Sequence, residues 1–289
     1  MAWDSQSKAL MKKARFLIAI WILFFTLLSG FEALAESSSG SKSVMMKSYY
    51  QTPSEVQIVP RSGTAYVNFA NSVGLGPALV WEAFIYDGSR PAAKIPIEIP
   101  IISGWTTSEH LQWISLRLWQ ALRAQPVWLL KALTGIRINH VDPIPNPFNG
   151  MLSNSMAGQP LRNVPARHSN GLIELFPGFF REGSPAYAIE TLSHEMFHAV
   201  AYLISKKNTD PPTEYINAAK LDGYSISEYA NADYHQVTGL KWAEDFAEAG
   251  RIYIQHAGGK YNFKIRYTFK HRFAFIDELI RQMSPSDDP

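Results

Sequence analysis

No cysteine occurs anywhere in the 289 residues, which excludes a disulfide framework and leaves core packing and bound metal as sources of stability. A charge excess of one sign is also missing, with 27 basic residues against 25 acidic ones. A nucleic acid would find no matching field on such a chain and is not expected as a partner. No repeat of fixed period runs along the sequence. What is present is an ordinary globular composition, 46% hydrophobic and 18% charged. It excludes a disordered or fibrous chain and provides for one substantial domain plus an extra segment.

The first 35 residues differ from the rest. Lys8, Lys12, Lys13 and Arg15 precede the apolar run FLIAIWILFFTLLSGF, and Ala33 and Ala35 follow in small-residue cleavage positions. This order predicts a secretory signal peptide over 1–35, cut after Ala35. An uncleaved membrane anchor is the alternative, and only then is a membrane a partner; the 16-residue run falls short of the roughly 20 residues that span a bilayer. Either way the remainder is secreted or otherwise extracytoplasmic. Loss of the signal removes four basic and two acidic residues and takes the net charge from +2 to zero.

Residues 36–103 read as an N-terminal extension. It opens with the linker-like ESSSGSKS and continues in apolar pieces such as VQIVP, TAYVNFA and IPIEIPII, broken by Pro, Gly and Ser, which predicts short strands and extended chain. An accessory unit, a propeptide and an arm around the main domain all fit this pattern. Residues 104–289 predict an α+β domain. A Thr106-x-x-Glu109 capping box opens a helix with Leu111, Ile114, Leu118 and Leu122 on one face, bent or restarted at Pro126 and stopped at Gly135. A strand IRINHV, the loop DPIPNPFNG and a strand GLIELF after Ser169, Asn170 and Gly171 follow; from Ser184 the text is mostly helical.

In that helical part, LSHEMFHAV (residues 192–200) places His194 and His198 four apart. With Ser184-Pro185 as a helix start and no breaker before Lys206, both imidazoles lie on one face about one turn, roughly 6 Å, apart, so that together they can hold a zinc ion. Glu195, one residue round, can reach water at the metal without being a ligand, as a general base must. With eight His and fifteen Glu in the chain, chance predicts on the order of 0.01 such patterns. Catalytic zinc takes a third protein ligand, and the predicted helix TGLKWAEDFAEAGRIYIQHAGG offers Glu244, with Asp245 and His235 as rivals. Glu248 shares the face of Glu244 and suits a hydrogen bond to a ligand imidazole. His110, His140, His168, His256 and His271 read as surface or structural.

HEMFHAVAYL, EDFAEAGRIYI beginning 46 residues after His198, and the terminal helix FKHRFAFIDELIRQM together resemble the catalytic domain of anthrax lethal factor and the secreted Pro-Pro endopeptidases. The resemblance spans about Thr106 to Met283 and is most specific in the two helices that carry histidine and glutamate. It implies a zincin-like (gluzincin) metallopeptidase domain, with a small sheet and several helices including the HExxH helix and a glutamate helix. It further implies Zn2+ held by His194, His198 and Glu244, Glu195 as base and Glu248 behind a ligand. Family members carry a tyrosine seven residues before the glutamate ligand, to stabilise the oxyanion, where this chain has Val237. Tyr234 is the nearest substitute and Tyr229 the next.

The expected function is therefore an exported zinc endopeptidase acting on a peptide or protein substrate. The alternative is a catalytically silent extracytoplasmic binding or regulatory protein that keeps a structural zinc site. GLIELFPGFF reads as the edge strand above the metal, open to strand addition by an extended peptide, or as a plain structural strand.

Overall fold

Ile95, Ile97 and Ile99 alternate with Lys94, Pro96 and Glu98, so that one face of their strand is fully buried and the other polar. That strand belongs to an antiparallel meander, β1 (Glu55–Asn68), β2 (Leu75–Asp87) and β3 (Arg90–Pro100). These strands run to 14, 13 and 11 residues, longer than the short pieces expected, because the pairing crosses Pro60 through a register shift between Pro60 and Thr64 and tolerates Pro91 and Pro96. The computed structural model describes residues 51–68, 75–140, 165–181, 184–205, 210–232, 239–257 and 263–283, all within the unit Tyr49–Pro289. The segments read as signal peptide and linker, the loop DPIPNPFNG, Tyr234, His235 and Val237 lie outside the described residues.

After β3 come helices α1 (Ser108–Arg123) and α2 (Val127–Leu130), then β4 (Gly135–Ile138), β5 (Ala166–Ser169) and β6 (Leu172–Leu175). The helix start differs from the capping box expected. Thr107, not Thr106, is the N-cap, its Oγ1 accepting from the His110 N–H at 3.3 Å, while Thr106 Oγ1 donates to Pro100 O at 2.7 Å and ties the helix entry to β3. The restart at Pro126 is present, but α2 ends at Leu130 and Gly135 begins β4 rather than stopping a helix.

The six strands form one mixed sheet in the order β1-β2-β3-β4-β6-β5, with β4 parallel to β3 and β6. The residues expected as an extension thus provide half of this sheet. Their buried isoleucines share one core cluster with Leu192, Met196 and Phe197.

The edge strand requires a correction. Leu172–Leu175 lies inside the sheet between β4 and β5, and PGFF turns into helix α3 (Pro177–Arg181); the edge is β5. The cause is local, since Asn170 (φ 53°) and Gly171 (φ 83°) are both left-handed, the requirement of a two-residue hairpin loop whose twist matches its strands. The hairpin folds Ala166–Ser169 back along the outside of β6.

Helices α4 (Pro185–Ser205), α5 (Thr213–Asp222), α6 (Lys241–Ala257), α7 (Phe263–Thr268) and α8 (Lys270–Met283) complete the described fold, which is α+β. Helix α4 is buried without a break from Leu192 to Ala201 and packs against α1, α6 and the β5–β6 hairpin. A helix apolar on nearly every side belongs at the centre of a fold. Among the described residues no helix is long and apolar enough to cross a membrane.

Candidate metal centre

The central helix carries polar groups where it is most deeply buried. Ser184 starts it, its Oγ accepting from the Ala186 N–H at 3.2 Å, and three turns later His194, Glu195 and His198 are each less than a tenth exposed. Buried ionisable groups need partners, and α6 brings them. Ala243, Phe246, Ala247 and Ala249 bury one side of α6, and Gly250 lets the Phe197 ring rest against its backbone. This close approach delivers Glu244 and Glu248 to the two histidines.

The donor atoms form a small triangle. His194 Nε2 lies 3.2 Å from His198 Nε2 and 3.1 Å from Glu244 Oε2, and His198 Nε2 lies 3.6 Å from Glu244 Oε2. Ligands about 2.0–2.1 Å from one tetrahedral ion stand roughly 3.3–3.4 Å apart, so the triangle has the dimensions of one face of such a shell. His194 Nδ1 donates to Glu248 Oε1 at 3.0 Å, which turns Nε2 toward the other two donors.

The electrostatics favour a cation at the same point. Burial opposes charge on His194, yet Glu244 and Glu248 hold its proton so firmly that its pKa is pushed up to about 10. Burial likewise works against the carboxylates. Contacts with His194 and His198 outweigh it at Glu244, which is held far below the usual range, and contacts with His194 and Arg251 outweigh it at Glu248, which is held at about 2. A proton satisfies this field only at one atom; an ion satisfies three. The buried group His194, His198 and Glu244 could therefore bind a metal ion.

Glu195 differs in character. Burial raises its pKa, partly offset by His198 and His194, and it accepts the backbone N–H of His168 on the edge strand. The HExxH helix is thereby tied to β5. His168 itself, expected as surface or structural, stacks on the His198 ring with centroids 6.4 Å apart and planes at 23°. Its Nε2 accepts the Gly171 N–H at 2.7 Å, and burial, with His198, lowers its pKa to about 4. It is a neutral wall beside His198, held through Nε2 by the turn that follows its strand.

Tyr229, the second tyrosine weighed from sequence, borders the group with about half of its surface exposed. Its ring meets that of His194 edge-on at 5.7 Å, and its hydroxyl hydrogen-bonds Glu244. Loss of hydration around that hydroxyl, together with Glu244, Glu195 and Glu248, pushes its pKa up, so it is a proton donor at neutral pH. The rival ligand Asp245 points elsewhere, to Arg272 at 2.8 Å and the Tyr215 hydroxyl at 2.6 Å.

Two arginines escaped the sequence reading. Arg251 grips Glu248 with Nε and Nη2 at 2.8 and 3.0 Å, and its position seven residues after Glu244, two turns along the same face, is the signal that points to it. Arg272, 1% exposed, joins Asp245 to Asp222; nothing in its local sequence marks it. Compared with protein-family models and with curated proteins, the chain matches none.

Proposed function

We propose that the chain is an exported zinc-dependent endopeptidase with a zincin-like catalytic domain of the lethal factor and Pro-Pro endopeptidase kind. The observation that carries this is the triangle of His194 Nε2, His198 Nε2 and Glu244 Oε2, built from two helices with a buried Glu195 beside it. Two imidazoles and one carboxylate, with Glu248 behind His194, form a donor set suited to zinc in a site that leaves one position open. Zn2+ bound there supplies a Lewis acid that polarises a peptide carbonyl and makes water a stronger acid.

The remaining work belongs to the chain. Glu195, poised by burial to hold a proton more readily than an exposed glutamate, takes one from the attacking water and delivers it to the leaving amine nitrogen. The Tyr229 hydroxyl, protonated and next to the ligand Glu244, is placed to donate to the negative charge that develops on the carbonyl oxygen, the role for which spacing also offers Tyr234. Edge strand β5, linked to Glu195 through the His168 N–H, suits an extended peptide added as a further strand. Export rests on the basic, apolar and small-residue order of 1–35.

Glu195→Gln provides the test. The variant should fold and bind zinc like the parent, while peptide-bond hydrolysis falls to background. Equal cleavage by parent and variant would remove Glu195 as base and with it the enzyme assignment. Zinc bound by a parent inactive against a broad peptide library would favour the silent binding protein.

A further inference from the structure

Glu248 is a buried carboxylate, 6% exposed, that must remain an acceptor toward His194 Nδ1. Left alone at that depth it has two ways out: to protonate, or to rotate toward solvent. Both routes are closed by one side chain. Arg251 donates from Nε to Glu248 Oε1 at 2.8 Å and from Nη2 to Glu248 Oε2 at 3.0 Å, a fork-to-fork contact that fixes the carboxylate plane as well as its position. Its third nitrogen, Nη1, reaches Glu190 Oε2 at 3.3 Å and Gln255 Oε1 at 3.1 Å.

Glu190 lies on α4 one turn before His194, so the contacts close a ring: Glu190 to Arg251, Arg251 to Glu248, Glu248 to His194, and back along the helix to Glu190. The two imidazoles are unequal in this respect. Nδ1 of His198 is buried without a hydrogen-bond partner among the described residues, so His194 is the ring whose orientation is fixed from behind.

We propose that Arg251 is a positioning residue of the metal centre, which sets metal affinity by holding Glu248 in the orientation that aims His194 Nε2 at the ion. This role rests on the metal-binding reading of His194, His198 and Glu244, but not on peptidase activity. Through Glu248, Arg251 controls one ligand of three.

The experiment is a zinc titration against a competing chelator on four purified full-length chains: parent, Arg251→Met, Glu248→Gln and the double variant. Arg251 keeps a fifth of its side chain in solvent, and methionine preserves its apolar stem. Arg251→Met should bind zinc 10- to 100-fold more weakly than the parent, the range for loss of such an outer partner. In the Glu248→Gln background the same change should cost less than about twofold, because the group it acts through is already altered.

Arg251→Lys, which keeps the charge but not the fork, should remain at least about fivefold weaker than the parent, and it carries the test if the methionine variant does not fold. Parent-like affinity in a folded Arg251→Met or Arg251→Lys chain overturns the role, as does an equal loss in both backgrounds. A parent that binds no zinc overturns the metal centre itself, a failure distinct from a centre that binds zinc but ignores Arg251.

Discussion

Gly250 is where the Phe197 ring of α4 rests against the backbone of α6, and a single methyl group there tests the packing that assembles the site. A Cβ on Gly250 would fall 2.2 Å from two carbons of the Phe197 ring and 2.3 Å from a third. Carbon atoms rest at about 3.5–4.0 Å, so ring or helix must move by roughly 1 Å or more. The ring has little room, since Phe197 is fully buried and meets Trp128 and Phe246 edge-on at 6.1 and 5.6 Å.

Two effects compete in Gly250→Ala: alanine favours a helix by about 1 kcal/mol over glycine, and overpacking costs about 1–3 kcal/mol or more. At a contact this short the clash should win, leaving the variant about 1–2 kcal/mol less stable by urea denaturation. Phe197→Ala alone should cost about 3–5 kcal/mol. With the ring removed, Gly250→Ala should change sign and stabilise by up to about 1 kcal/mol, a coupling that a double-mutant cycle reads directly. Zinc affinity should fall with the single Gly250→Ala change, because donors 3.1–3.6 Å apart cannot follow helices that separate by an ångström. A Gly250→Ala chain more stable than the parent would refute the close approach.

Three further outcomes are expected. Zinc affinity measured at a series of pH values should rise about tenfold per pH unit from about pH 6 to about pH 9, because metal-free His194, with a pKa near 10, must release its proton to the solvent when the ion binds; a flat profile would contradict it. Tyr229→Phe should retain zinc and lose about 10²- to 10³-fold in kcat, the cost of one oxyanion donor, and an unchanged kcat would hand that role to another group. Arg272→Met strips the partner from buried Asp222 and Asp245 and should lower stability by about 3–5 kcal/mol in urea denaturation; a change below about 1 kcal/mol would show those carboxylates to be otherwise satisfied.

The parts of the site that follow helical periodicity were legible in the sequence. His194 with His198, and Glu244 with Glu248, are i,i+4 pairs, and an α-helix turns that spacing into one face whatever surrounds it. The edge strand was not legible, because Ala166–Ser169 reads Ala-Arg-His-Ser, without the β-branched or aromatic letters that mark a strand, and is held there by the Asn170-Gly171 turn and by β6. For the same reason His168 looked like a surface residue: only the hairpin carries it to His198.

Long-range pairing concealed the role of β1–β3 as well. VQIVP and IPIEIPII show strand chemistry, but nothing in them says that Ile97 will stand beside Ile136 in one sheet with β5 and β6, the strands that pack against α4. Spacing from Glu244 favours Tyr234, which lies outside the described residues, whereas the place of Tyr229 follows from the turn after α5 that brings its ring to His194. The choice of Thr107 over Thr106 as cap is decided by Pro100, whose carbonyl engages the first threonine and leaves the second to cap the helix.

The most direct measurement is metal content by elemental analysis of the purified chain, repeated for His194→Ala and Glu244→Ala. About one zinc ion per parent chain is expected, lost or greatly reduced in both variants, since each removes one of three protein ligands. A parent chain that takes up no zinc at neutral pH even when the ion is supplied in excess, or variants that retain the full complement, would contradict the metal centre.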